Sequence, residues 1–249
     1  MKYLTPKLFI GPVSKNVVDA SIEYVEYYKI PLGLIPSRRQ IDYNGGYVNN
    51  WTTKTFSEYV REKTNLILLE RDHGGPLQGS SEDDGTKSFL VDNEHMDIIH
   101  IDPWKLTDSF YSCIKETIYW LCRLDNPQVQ FEIGTEESIR KINSGCLSEL
   151  LYFINQSLPI RIKNKVKYAV IQSGTSLKGN KQMGNYDEER LKNDLFECSL
   201  NKVLSKEHNG DYLSAESIKH KFALGLSSIN IAPEFGMIET ECYINEIKQ

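Results

Sequence analysis

The sequence predicts a (β/α)8 TIM barrel of the α/β class, a single domain over residues 1–249. Three observations carry this. Short runs rich in strand formers alternate with amphipathic stretches, the pattern of parallel strands joined by crossover helices. Eight such runs fit within 249 residues, the usual size of such a barrel. An open doubly wound sheet would want a glycine-rich phosphate loop after an early strand, and Gly11-Pro12-Val13-Ser14 is neither G-x-G-x-x-G nor G-x-x-x-x-G-K-[ST].

The elements follow in order. The strands are expected at Leu8 to Val13, Pro31 to Pro36, Leu66 to Leu69, Ile98 to Ile101, Val129 to Ile133, Tyr168 to Gln172, Val203 to Lys206 and Ser228 to Ala232. Each is an apolar run that stops at polar or glycine-containing sequence. Helices are expected at Asn16 to Tyr28, Thr52 to Arg61, Ser109 to Arg123, Glu136 to Phe153, Tyr186 to Cys198 and Ser214 to Leu224, several beside a Ser, Thr or Asn cap. Pro76 to Glu94 reads as a weak helix at best, and a short last helix begins near Met237.

Composition excludes several classes of partner. The chain is 40% hydrophobic and 25% charged, with a net charge of −5 and both signs interspersed, so it has no footprint for nucleic acid or an anionic membrane. No apolar stretch approaches the roughly 20 residues that span a bilayer, and Met1 to Pro6 has no apolar leader core, which points to a cytoplasmic protein. Cys113, Cys122, Cys146, Cys198 and Cys242 are odd in number and contain no C-x-x-C pair, so reduced and mostly buried thiols are expected.

In such a barrel the site is built from the C-terminal ends of the strands. The polar residues there are Ser14, Arg38, Arg39, Gln40, Asp72, His73, His100, Asp102, Glu132, Glu136, Gln172, Lys178, His208, Asp211, Asn230 and Glu234. Two imidazoles and a carboxylate gathered from this set can bind a divalent metal and leave positions open for a substrate. His100, inside Ile98-Ile99-His100-Ile101-Asp102, reads as a hydrogen-bonded barrel residue. His95 and His220 read as solvated. Arg38 and Arg39 suit either a substrate anion or an ordinary salt bridge. Lys178, in a glycine-flanked loop, is a poor Schiff-base amine.

Several segments resemble the metal-dependent class II fructose- and tagatose-bisphosphate aldolases. Asp72-His73-Gly74 after an apolar strand resembles their D-H-G segment. His208-Asn209-Gly210-Asp211, a helix, and Ser228-Ile229-Asn230-Ile231-Ala232-Pro233-Glu234 resemble their H-G-G-S and N-[IV]-A-T-E stretches in order and spacing. Gln40 with Asn44-Gly45-Gly46-Tyr47, Asp72-His73-Gly74-Gly75-Pro76, Ile133-Gly134-Thr135-Glu136 and His208 with Asp211-Tyr212 are more similar still to the accessory (Z-type) subunit of tagatose-bisphosphate aldolase.

The resemblance implies a divalent metal, zinc first, held by His73 and His208 with Glu136. It implies proton transfer by Asp72 and Glu136, and substrate contacts from Arg38, Gln40, Gly210, Asp211, Ser228 and Asn230. The amides near Ser228 and Gly210 would hold a phosphate. The substrate would be a phosphorylated or acidic sugar, cleaved between carbons or epimerised through an enediolate. The sequence departs from the family in two places. Gly174-Thr175-Ser176-Leu177 has leucine where those aldolases carry a third histidine ligand, so Glu136, Gln172 or Asp102 would have to complete the site. Pro233 replaces the threonine of the phosphate motif and removes an amide donor. Two further expectations stand beside the lyase: a non-catalytic subunit that stabilises a catalytic aldolase partner, and a sugar isomerase-type barrel. A homo-oligomer fits any of them.

Overall fold

A computed structural model describes residues 5–80 and 82–248. Residues Met1 to Leu4, part of the stretch inspected for a leader, and Gln249, which ends the expected last helix, lie outside the described residues. The chain runs β1 (Leu8–Ile10), α1 (Lys15–Tyr28), β2 (Leu32–Leu34), α2 (Thr53–Arg61), β3 (Ile67–Gly74), α3 (Thr86–His95), β4 (Ile98–Ile101), α4 (Phe110–Arg123) and β5 (Gln130–Ile133). It continues with α5 (Ser144–Ser157), α6 (Ile160–Lys163), β6 (Val166–Ile171), the hairpin β7 (Leu177–Lys178) and β8 (Lys181–Gln182), α7 (Glu188–Leu200), β9 (Leu204–Glu207), α8 (Ala215–Leu224), β10 (Ser228–Ile231) and α9 (Pro233–Ile247). Eight parallel strands close a barrel in the order β1-β10-β9-β6-β5-β4-β3-β2, and each expected strand is one of them.

Strand alternation separates two cores. Side chains facing outward, such as Leu69, Ile99, Phe131 and Ala169, pack beneath the helices, where α1 adds Val17, Val18, Ile22 and Val25. Each such aliphatic side chain contributes roughly 1.5–3 kcal/mol when fully buried. Helix α1 starts where the Ser14 hydroxyl accepts the Val17 N–H and stops where Lys29 turns left-handed at φ 56°. Inward-facing Phe9, Leu68, Ile98 and Tyr168 form a smaller floor inside the barrel.

That floor also carries charge. Lys206 of β9 is fully buried over the rings of Phe9 and Tyr168 and binds the carboxylates of Glu70 and Glu132, the latter at 2.8 Å. Burial and the neighbouring Glu132 charge push Glu70 well above the carboxylate range, against the pull of Lys206. Burial also opposes ionisation of Glu132, but Lys206 and His100 outweigh it and hold that carboxyl well below the usual range. The Lys206 ammonium thus answers chiefly the Glu132 carboxylate, while Glu70 is pushed toward its neutral form, in a site that would not tolerate a lone charge.

Among the expected helices, three depart from expectation because a distant contact decides each. Helix α5 begins at Ser144 rather than Glu136, because Gln172 holds the loop open by donating to the Thr135 and Arg140 carbonyls and accepting from Ile142 N–H. The weakly expected α3 is regular, since its Asp92 receives a two-pronged ion pair from fully buried Arg71 of β3. Helix α9 starts four residues early, with Pro233 in its first turn and a cap supplied by Asp211 from another loop. Cysteines differ as well: all five are free, but only Cys113 and Cys198 are buried. Among the described residues no helix is long and apolar enough to cross a membrane.

Candidate functional site

Strand β3 would normally send Asp72 and His73 to opposite faces. A bulge against β4 between Arg71 and Gly74, with His73 in the left-handed region at φ 46°, breaks that alternation and brings both side chains to the barrel mouth. Such a conformation costs a non-glycine residue of order 1–3 kcal/mol and persists only where its surroundings enforce it. Here Arg71 enforces it from behind, donating to Asp92, to the Pro36 and Ile41 carbonyls and to Thr53.

Three imidazoles form a triangle at the mouth. The rings of His73, His100 and His208 lie 5.2 Å apart in every pairing. One nitrogen of each is spoken for. His73 Nδ1 donates to Asp102 Oδ2 at 2.6 Å, His208 Nε2 to Glu132 Oε1 at 2.7 Å, and His100 Nε2 to the Gly134 carbonyl at 3.0 Å. Since carboxylates and carbonyls only accept, these bonds fix the tautomers and leave His73 Nε2, His208 Nδ1 and His100 Nδ1 with lone pairs. His73 N–H approaches His100 Nδ1 at 3.3 Å.

Two carboxylates face the triangle. Asp72 Oδ1 lies 3.7 Å from His73 Nε2 and 3.9 Å from His208 Nδ1, and Glu136 Oε2 lies 3.6 Å from each. Asn209 holds Glu136 by donating to Oε2 at 2.8 Å. Ligand atoms of Asp72, His73, His100 and His208 all fall within 4.8 Å of one another, the spread a single cation spans. The donor set fits a divalent metal, because each imidazole carries the outer carboxylate or carbonyl that orients a metal-binding histidine.

The electrostatics agree. Burial would push both His73 and His208 down, yet the facing carboxylates reverse this. Asp72, Glu136 and Asp102 raise His73 well above its ordinary value, and Glu132, Glu136 and Asp72 raise His208 to about 9. Burial opposes ionisation of Glu136 too, but His73 and His208 hold it well below the usual carboxylate range. His100, where burial prevails over Glu132 and Asp102, stays low and neutral. The mouth thus favours positive charge, which His73 and His208 carry as protons and which a cation could carry in their place.

The sequence-derived candidates divide cleanly by position. Asp72, His73, Glu136 and His208 come together, and His100, read from sequence as a barrel hydrogen-bonding residue, joins them. Strand alternation was its signal: Ile98, His100 and Asp102 share the inward face. Glu136 faces two histidines without belonging to the tight group of four. Asp102 lies behind His73, and Gln172 is spent on the α5 loop, so neither replaces the missing third histidine; Leu177 sits on the β7–β8 hairpin.

The expected substrate contacts lie elsewhere. Arg38 is buried and gives its donors to Asp42, Asp83 and the Gly75 carbonyl, which corrects its assignment to substrate. Gln40 folds back to accept Ser37 N–H. Ser228 begins β10 at the opposite end of the barrel, donating to the Pro6 carbonyl at 2.6 Å, so it cannot hold a phosphate at the mouth. Gly210 N–H donates to the Asn230 carbonyl at 2.8 Å; a Cβ there would fall 2.5 Å from the Ile229 side chain. Asp211 Oδ1 accepts the Ala232 and Glu234 N–H groups at 2.9 and 2.8 Å, which makes it the cap of α9. Asn230 alone stays available, its buried Oδ1 without a hydrogen-bond partner. Of the remaining candidates, Ser14 caps α1 and Lys178 is exposed; His220, expected to be solvated, pairs with Glu188 at the surface.

No family model matches the sequence, and no curated protein matches it either. Solved structures do match. A probable tagatose 6 phosphate kinase from Sinorhizobium meliloti 1021 superposes with a TM-score of 0.77 at 16% identity, covering 92% of this chain and 65% of that one. The chain therefore spans a little under two thirds of that protein's length. The YdjI aldolase of Escherichia coli K12 gives 0.71 at 16% identity over 98% of this chain and 82% of that one. The fructose-bisphosphate aldolase of Campylobacter jejuni gives 0.67 at 15% identity over 92% and 71%. The fold is shared with these aldolases, as the sequence resemblance implied.

Proposed function

We propose that the chain is a metal-dependent aldehyde-lyase of the class II aldolase type, folded as one domain, that acts on a small ketose-type sugar. The observation that carries this reading is the histidine triangle, with each outer nitrogen anchored and the inner nitrogens of His73 and His208 facing Asp72 and Glu136. A divalent cation, zinc first, would be held by His73, His100 and His208 with Asp72 beside them, and would supply Lewis-acid polarisation of a ketose carbonyl. The chain's own groups do the rest. Asp72 and Glu136 lie on the substrate side and move protons at the carbonyl-derived and hydroxyl oxygens. Asn209 fixes Glu136, while Asp102 and Glu132 fix the imidazole planes. Asn230 Oδ1, on the inward face of β10, accepts a substrate hydroxyl.

A purely supporting subunit would have no physical use for five ionisable groups packed around one point, since each costs free energy to bury. Elemental analysis of the purified chain tests the reading. About one zinc, manganese or cobalt per chain is expected, with loss from His73→Ala, His208→Ala and His100→Ala. Cleavage of a ketose by the metal-loaded wild type completes the test. A wild type that takes up no metal after incubation with zinc overturns the lyase.

A further inference from the structure

The β10–α9 junction is where the family resemblance places a substrate phosphate, and in this chain that place is already filled. Ala232 and Glu234 N–H groups both donate to Asp211 Oδ1, Tyr212 N–H donates to Glu234 Oε2 at 2.8 Å, and Gly210 N–H donates to the Asn230 carbonyl. Pro233, in the first turn of α9, has no N–H to give. The backbone donors that would cradle an anion are committed, and two of the committing groups are carboxylates. Asp211 is almost fully buried, so its charge is poorly screened by solvent. A phosphate dianion brought here would meet like charge instead of open amides. Of the two adjacent arginines after β2, Arg38 is consumed by Asp42 and Asp83 and Arg39 is exposed.

A second observation points to what does bind. Asn230 lies on the inward face of β10, paired in register with Phe9 and one residue beyond the Ile229–Glu207 pair, hence level with His208. Its Oδ1 is buried and lacks a donor. A buried acceptor with no partner calls for an O–H, which a sugar hydroxyl supplies and a phosphate dianion does not.

We infer that the substrate presents an unphosphorylated polyhydroxy end to β10 and α9, with Asn230 accepting one hydroxyl and with Asp211 and Glu234 excluding phosphate esters. This rests on the lyase reading for its chemistry, but its binding claim stands by itself. The experiment titrates inorganic phosphate, to tens of millimolar, into the metal-free and the zinc-loaded protein while the backbone amide NMR signals of Gly210, Tyr212, Ala232 and Glu234 are followed. No saturable movement is expected, and saturable movement of these signals overturns the inference. In parallel, kcat/KM is compared for a neutral ketose and its monophosphate esters. A preference of at least tenfold for the neutral sugar is expected, and a smaller ratio or a reversed one overturns the inference. Asp211→Asn combined with Glu234→Gln should narrow the preference. If no sugar is cleaved, the lyase reading fails and the amide titration decides the inference by itself.

Discussion

Two groups of carboxylates share the barrel mouth and differ in what their oxygens touch. On the β3–β5–β9 side, Asp72 and Glu136 face imidazole nitrogens across gaps of 3.6–3.9 Å, too long for hydrogen bonds. On the β10–α9 side, Asp211 and Glu234 close onto backbone N–H groups at 2.8–2.9 Å. The first group is answered by the protons that His73 and His208 retain, which a bound cation can replace. The second has its answer in the backbone. Residue type alone does not mark a reactive carboxylate; a replaceable partner does.

The contrast is sharpest in turnover. Asp72→Asn keeps the shape and removes the proton carrier, so kcat should fall about 10²- to 10⁴-fold while the melting temperature stays near wild type, measured by steady-state cleavage and calorimetry. Breaking the floor instead of the mouth should act on stability: Lys206→Met leaves Glu132 as a buried anion without its ammonium, costing about 3–5 kcal/mol in urea unfolding. Asp102→Asn loosens the orientation of His73 without removing a ligand, and competition with a chelator should show metal affinity about 10- to 100-fold weaker.

Smaller effects come from protons and caps. His208, raised to about 9, stabilises the metal-free fold fully below its ordinary pKa near 6.5 and loses that contribution as pH climbs through 9. A cation needs the same nitrogen bare, so metal affinity should rise with pH across that window, as titration at a series of pH values would show. Smallest is Asp211→Ala, which strips the α9 cap and should cost about 0.5–2 kcal/mol of stability, against the catalytic loss seen at Asp72.

The barrel was legible because its strands are short apolar runs and its site lies at strand ends, so Asp72, His73, Glu136 and His208 could be named before any coordinates. His100 was listed with them but read as a hydrogen-bonded barrel residue, because it lies between Ile99 and Ile101; the facing direction of β4 brings it to the site. The fates of Arg38, Ser228 and Asp211 were hidden for a related reason. Their partners, Asp83, Pro6 and Glu234, sit on other segments, and a resemblance carries over position without carrying over contacts. The start of α5 depended likewise on Gln172, distant in sequence.

The charged floor beneath the site bears on how this sequence can change. Lys206, Glu70 and Glu132 neutralise one another, and Glu132 also steadies His208. Loss of Lys206 alone strands the Glu132 charge in the dark of the barrel, and a matched exchange, Lys206→Met with Glu70→Gln, still leaves Glu132 answerable only to the histidines above. Heritable variation here is therefore coupled: the floor can drift only in concert, and each such step retunes the reactive centre it supports.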